Sequence, residues 1–365
     1  MLNNDIINFG VHQKRIQKPF VAFSSPGSSD STVFTGKLLI PEKDHFIEEQ
    51  GFLFFPFNTS SAFPNLFLQP DQVFKGADSI DNHGATDRQE PSADNSYRLL
   101  KQTNKNIYIK NLENLIKELN SGSAEKVVIS RTTITKQITD HHLFQFYNLL
   151  CETYPDAFVY LAHLLSYGTW MGATPEKLIS CDDRKCKTMA LAGTRKAGSQ
   201  GEWGSKETEE QAIVSRYIQD VLLKYQVQNL QITEPFTRQA GAMEHLCTGF
   251  SFVIPQDETL AQIISDLHPT PAVCGTPKAK ALQLIEKYEN HHREYYTGFL
   301  GPVNISGKTD LFVNLRCMKI TPTQMILFSG GGITKDSIPE KEWEETELKA
   351  QTLLAVLEKI RNLAP

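Results

Sequence analysis

The sequence has no basic excess and no run of lysine or arginine. Lys and Arg number 37 against 42 Asp and Glu, a formal net charge of −5. A nucleic-acid-binding surface needs a basic stripe, so that partner class is disfavoured. Long apolar runs are missing too. Phe52-Leu53-Phe54-Phe55 stops at Pro56, far short of the ~20 residues that span a bilayer. The start, Met1-Leu2-Asn3-Asn4-Asp5, has no basic region leading into an apolar stretch, so no secretory signal is expected. Cysteine is sparse, and none of the six stands at zinc spacing. Cys181 and Cys186 lie five apart, with no second Cys or His pair near them. Reduced thiols in a cytoplasmic protein are expected. Asn58-Thr59-Ser60 fits a glycosylation acceptor, but nothing routes the chain outside the cell.

What is present is a globular chain of 365 residues, 40% hydrophobic and 22% charged. That length suits about two domains or one large one. The first hundred residues show little pattern. Phe34 to Leu39 and Gly51 to Phe57 read as strands, and Lys75 to Ser96 as a long exposed loop. Beyond them the periodicities sharpen. Helices are expected at Tyr108 to Leu119, His142 to Tyr154, Ser205 to Tyr225, Pro277 to Tyr288 and Pro339 to Ile360, with Ser205 as a helix cap. Strands are expected at Lys126 to Thr135, Ala157 to His163, Gly168 to Ala173, Lys177 to Ile179, Thr188 to Leu191, Gly249 to Ile254, Phe299 to Val303, Asp310 to Ile320 and Gln324 to Phe328. Strands and helices come in blocks, which favours an α+β fold with antiparallel sheets.

Two helices carry carboxylates in unusual places. On the helix from Ser205, Glu210 precedes Ile213, Val214 and Tyr217 by three, four and seven residues, so it projects from the core-facing side. Glu207 lies one turn earlier. The bland alternative is that both favour the positive end of the helix dipole. After Pro339, Glu342, Glu345 and Lys349 share a face, and a solvated ion pair would also explain them. Two Glu-x-x-Glu pairs near helix starts could instead converge on a hard divalent cation, for which oxygen ligands suit Mg²⁺. Ser329-Gly330-Gly331-Gly332-Ile333 follows a strand and would let backbone N–H groups approach an anion. It lacks dinucleotide-binding spacing.

In order, the chain reads Lys126-Val127-Val128-Ile129-Ser130-Arg131, Gly172-Ala173-Thr174-Pro175-Glu176, Leu191-Ala192-Gly193-Thr194, Lys206-Glu207-Thr208-Glu209-Glu210, Leu267-His268-Pro269-Thr270-Pro271-Ala272, Asn314-Leu315-Arg316-Cys317, the glycine run, and Glu342-Trp343-Glu344-Glu345-Thr346 with Lys349. Together these segments resemble the chorismate-utilising enzymes, and the isochorismate synthases among them. The resemblance implies one α+β unit of two large packed antiparallel β-sheets with outer helices. Residues 1–365 would form a single domain, with 1–100 as a variable part completing the sheets and 105–361 as the catalytic region.

The resemblance also implies roles. Water would add at C2 of chorismate while the C4 hydroxyl leaves. Lys126 matches the base and Glu176 the general acid, whose pKa burial should raise. Glu210 and Glu345 match direct Mg²⁺ ligands, and Glu207 and Glu342 the pair holding metal-bound waters. Arg316, Lys349 and the backbone of Gly330, Gly331 and Gly332 match groups that hold the enolpyruvyl carboxylate. Gly193 and Thr194 match residues at the ring end, and His245 a histidine near the site. Lysine at 126, where ammonia-using relatives carry Gln, implies water as nucleophile, so no glutamine amidotransferase subunit is expected. Ala192 cannot form the covalent adduct of aminodeoxychorismate synthases. Ala272, where lyase-competent relatives carry Thr, favours stopping at isochorismate over going on to salicylate. Cys274 and Thr194 depart from the usual Ser. An inactive chorismate-binding homologue is the remaining alternative. Many such synthases are monomers, and their product feeds menaquinone or siderophore biosynthesis.

Overall fold

The computed structural model describes the chain except residues 16, 42–46, 61, 77, 79–99, 242, 258, 364 and 365. Most of the loop expected at Lys75 to Ser96 lies outside the described residues. In chain order the elements are α1 (Asn4–Arg15), β1 (Phe20–Ser24), β2 (Ser31–Leu39), β3 (Gly51–Phe55), β4 (Leu66–Lys75), α2 (Lys105–Asn120), β5 (Lys126–Lys136), α3 (Asp140–Thr153), β6 (Phe158–His163), β7 (Thr169–Thr174), β8 (Lys177–Asp182), β9 (Lys185–Lys196), α4 (Ser205–Lys224), β10 (Gln228–Ile232), β11 (Phe236–Ala240), β12 (Met243–Val253), α5 (Thr259–Leu267), β13 (Gly275–Thr276), α6 (Lys278–Tyr288), β14 (Phe299–Val303), β15 (Lys308–Val313), β16 (Cys317–Ile320), β17 (Gln324–Ile333) and α7 (Pro339–Leu363).

Every strand pair among the described residues is antiparallel. One half of the ladder runs β13-β5-β17-β16-β7-β6-β1. The other runs β2-β4-β3-β14-β15-β8-β9-β12, with β10 and β11 both along the far edge of β12. The β1–β2 pairing joins them. The two sheets expected are therefore two halves of one continuous ladder. Their inner faces share an aromatic core. Phe158 of β6 stacks on Phe312 of β15 at 4.2 Å, and Phe54 of β3 meets Tyr160 of β6 at 5.7 Å. Burying each such side chain stabilises the fold by about 1.5–3 kcal/mol.

Helices cover the outer faces. The apolar stripe of α4, with Ile218 and Leu222, packs with α5 onto Ile179, Ala190 and Phe250. Leu353 and Leu357 of α7 join α1 and α3 over Met171, Met318 and Leu327. Leu112, Leu115 and Leu284 of α2 and α6 close the β5–β13 end.

Several expectations need correction. Gly204 caps α4, and Ser205 is its first residue; Thr208 donates its hydroxyl to the Gly204 carbonyl at 2.9 Å. The expected strand Asp310 to Ile320 breaks into β15 and β16, because Arg316 takes a positive φ of 46° between them. The glycine run does not follow a strand; it is the end of β17, paired with β5 from Ser329↔Arg131 to Ile333↔Val127. Cys181 and Cys186, expected as free thiols, form a disulfide. They face each other across the β8–β9 hairpin, with Cα atoms 4.1 Å apart. The helices α1 and α5 and the strands β1, β4, β10, β11 and β13 are not among the expected elements. No described helix is long and apolar enough to cross a membrane.

Candidate active site

The break between β15 and β16 turns Arg316 inward, and β17 runs past the end of β16. Its ladder with β16 stops at Phe328↔Cys317, so from Ser329 onward one edge of β17 is open. Backbone groups in an antiparallel strand alternate sides. Gly330, whose carbonyl accepts from Lys349 Nζ at 2.8 Å, shows which residues turn to the open edge. A cavity lies there, partly open to solvent. Of the anticipated residues, Lys126, Glu176, Gly193, Thr194, Glu210, His245, Ala272, Arg316, Gly330, Gly332, Glu345 and Lys349 line it. Glu207, Gly331 and Glu342 do not.

Lys126 opens β5 and is 2% exposed. Its ammonium lies 3.2 Å from Glu210 Oε2. Beneath them is Gly332, where a Cβ would stand 2.5 Å from Lys126 Cε and 3.0 Å from Glu210 Oε2. Gly332 thus makes room for charged side chains within a regular strand. Gly331 faces α7 with less need of space: a Cβ there would be in ordinary contact, 3.4 Å from Glu342 Oε2 and 3.8 Å from Glu345 Oε1.

Glu176 sits in the turn between β7 and β8, its backbone carbonyl accepting from Val313 N at 3.0 Å. Burial pushes its carboxyl up to about 7, against the opposing pull of Lys126, Lys349 and Arg316. The upward shift matches the one expected for Glu176 from its sequence context. His245 of β12 is opposite Thr194 of β9. Its Nδ1 is 3.0 Å from the Gly193 carbonyl, so that nitrogen carries the proton. Nε2 is buried without a hydrogen-bond partner. Burial, helped by Arg316 and Lys349, brings the ring down to about 3, leaving it neutral. The Arg316 guanidinium donates to Thr352 Oγ1 at 3.0 Å and to the Lys349 carbonyl at 3.4 Å.

The acidic residues divide. Glu210 is buried as its place on the helix stripe required. Glu207 is half-buried and turns back to the helix start: a Cβ on Gly204 would lie 2.5 Å from its Oε2. The structure therefore favours the helix-dipole explanation for Glu207. Glu342 is 2% exposed, and its carboxyl is raised, first by burial and then by Glu345. Its Oε1 accepts from Lys206 Nζ at 2.5 Å, while Oε2 is buried without a close partner and the Ser337 hydroxyl only weakly favours the carboxylate. Burial would raise Glu345 as well, but Lys349, 2.7 Å away, brings it below the usual carboxylate range. Among the described residues, no three His, Cys, Asp or Glu side chains converge as a ready metal cage. The donor chemistry nonetheless fits a hard divalent cation. Two helices bring carboxylate oxygens to one glycine floor, and one buried oxygen lacks a close partner.

Sequence reasoning missed Lys206, whose ammonium also lies 3.6 Å from Glu210 Oε1. Its i, i+4 spacing to Glu210 was the available signal. Tyr296 in the cavity wall was missed too. So was the anchoring role of Arg131, whose guanidinium stacks 4.0 Å from the Trp343 ring, donates to Thr346 Oγ1 at 2.6 Å and pairs with Glu347. Arg131 thereby fixes the start of α7 against β5.

A profile described as chorismate binding enzyme matches residues 64–358. The chain belongs to this family. Over 259 residues it is 28% identical to the vibriobactin-specific isochorismate synthase of Vibrio cholerae, covering 68% of this chain and 66% of that one. Over 243 residues it is 29% identical to isochorismate synthase EntC of Escherichia coli, covering 64% and 62%. The matches thus span just under two thirds of these relatives' lengths. A Bacillus anthracis structure assigned as a 2,3-dihydroxybenzoate-specific isochorismate synthase, DhbC, superposes with a TM-score of 0.75. It is 23% identical and covers 97% of this chain and 99% of its own, which establishes a shared fold.

Proposed function

We propose that this chain is an isochorismate synthase, an isomerase that converts chorismate to isochorismate with Mg²⁺. The observation that carries this reading is the pairing of a buried lysine, Lys126, with a carboxyl raised to about 7, Glu176, in one cavity. Lys126, acting as the neutral amine, takes a proton from the water that adds at C2. Glu176, still protonated near neutral pH, gives its proton to the departing C4 hydroxyl. Arg316, Lys349 and the open backbone edge at Gly330 and Gly332 hold the enolpyruvyl carboxylate. The bare Nε2 of His245 accepts a hydrogen bond from a substrate hydroxyl, and Gly193, Thr194 and Ala272 shape the ring end. Glu210 and Glu345 would hold Mg²⁺, with Glu342 behind them. When bound, the metal neutralises the ring carboxylate and polarises it as a Lewis acid.

Water as the nucleophile needs no ammonia supply, so the reading includes no amidotransferase subunit. Its product would enter menaquinone or siderophore biosynthesis. Residues 1–365 act as one unit. The test is purified protein with chorismate and Mg²⁺, followed by chromatography. Isochorismate without salicylate or pyruvate is expected. Salicylate with pyruvate, or intact chorismate bound without turnover, would overturn it. Glu210→Gln should weaken the Mg²⁺ dependence of turnover; an unchanged Mg²⁺ titration would remove the metal assignment.

A further inference from the structure

Three ammonium groups stand among the carboxylates of α4 and α7, and they are not equivalent. Lys126 pairs with Glu210 from the neighbouring strand, at 3.2 Å. Lys349 pairs with Glu345 of its own helix at 2.7 Å and donates to the Gly330 carbonyl at 2.8 Å. Only Lys206, among the described residues, bridges the two helices. Its Nζ is 2.5 Å from Glu342 Oε1 on α7 and 3.6 Å from Glu210 Oε1 on α4. The Lys206 side chain is 27% exposed, so it has a way out toward solvent, whereas Glu342 is 2% exposed and fixed. A single ammonium thus occupies the space between the helices while one carboxylate oxygen, Glu342 Oε2, has no close partner and only the Ser337 hydroxyl nearby.

A buried carboxylate needs a cation or donors. An ammonium supplies one charge and directed N–H bonds; a divalent cation supplies two charges and takes oxygens from several sides. We propose that Lys206 is the built-in counter-ion of the metal site. It holds the α4 and α7 carboxylates together while the metal is absent, and the metal must displace it. By standing against a divalent cation it weakens that cation's binding, so it sets the affinity of the site. The proposal rests on the metal reading given above.

Calorimetric Mg²⁺ titration of substrate-free protein, together with melting curves in chelator and in Mg²⁺, tests it. Lys206→Met removes one positive charge within 4 Å of two carboxylates. About tenfold tighter Mg²⁺ binding is expected, since electrostatic attraction at that range is strong. The variant should also melt lower than wild type in chelator and regain more stability on adding Mg²⁺. Lys206→Arg, which keeps the charge, should stay within about twofold of wild-type affinity. Lys206→Gln replaces Lys206→Met if the latter does not fold. Unchanged or weaker Mg²⁺ binding in a folded, uncharged variant would overturn the counter-ion role while leaving the metal site standing. Failure of wild type and variants alike to bind Mg²⁺ would overturn the metal reading itself, and this inference with it.

Discussion

The Lys126 ammonium and the Glu210 carboxylate meet at 3.2 Å across the join of β5 and α4. The two residues come from elements 84 positions apart in sequence, yet each is placed by simple local rules. Lys126 is the first residue of a strand whose next residues, Val127 to Ile129, are buried. Glu210 lies on the buried stripe of an amphipathic helix. Their contact puts the lysine proposed as the base beside an oxygen-rich corner of the cavity.

Lys126→Ala should therefore cost turnover far more than stability. Removing a positioned acid or base typically loses about 10²–10⁴ in rate. Glu210 would keep Lys206 as a partner at 3.6 Å, so a cooperative melt by circular dichroism is expected. Normal turnover in a folded Lys126→Ala protein would exclude Lys126 as the base.

The raised Glu176 carboxyl makes a pH prediction. Burial lifts it from 4.5 to about 7. As the acid it must be protonated, so turnover should fall as pH rises through about 7, roughly tenfold per unit beyond it. Its stability effect has the same sign. Between 4.5 and about 7 the folded state binds the proton and the unfolded state does not, so stability falls as pH rises across that window and levels above it. Glu176→Gln should remove that slope along with most of the activity. Urea melts at a series of pH values check the stability arm, and a pH–rate profile without a limb near 7 would reject the acid assignment.

Much of this site was legible because the relevant residues obey a local period. The burial of Glu210 follows from its spacing to Ile213, Val214 and Tyr217, and the strand at Lys126 from its β-branched run. Other parts depend on tertiary pairing and leave little local trace. Arg316 looks like the middle of one long strand, until its positive φ breaks that strand and turns it inward. The glycine run has the composition of a loop, but pairing with β5 makes it a strand. Strands β10 and β11 are largely exposed along the edge of β12, so their sequences carry no core-facing alternation. Glu207 shares its period with Glu210, but its carboxylate has open space at the helix start and turns there.

The Cys181–Cys186 disulfide can be counted chemically. Protein unfolded without reductant should titrate four thiols, Cys151, Cys247, Cys274 and Cys317, and two more after reduction. Closing so short a hairpin restricts the unfolded chain only modestly, by about 2 kcal/mol. Cys186→Ser should lower the melting temperature by a few degrees without changing turnover, since both sulfurs lie outside the cavity lining. Six thiols in the unreduced protein would show the pair to be open.

The glycine floor gives a graded prediction. A methyl at Gly332 would stand 2.5 Å from Lys126 Cε and 3.0 Å from Glu210 Oε2, whereas one at Gly331 would meet Glu342 Oε2 at 3.4 Å. Overpacking of the first kind forces side chains from their rotamers at about 1–3 kcal/mol. Lys126 is held in the cavity wall by buried neighbours, so the displacement falls on the lysine proposed as the base and on its carboxylate partner. Gly332→Ala should reduce turnover at least tenfold, because small misplacements of a reacting group are costly. Gly331→Ala should act mainly on the α7 carboxylates, raising the Mg²⁺ concentration needed for half-maximal rate and leaving the rate at saturating Mg²⁺ near wild type. Both variants should melt cooperatively. Equal loss of rate in the two at saturating Mg²⁺ would mean that the run serves β17 as a whole, without one glycine under the base and the other under the metal ligands.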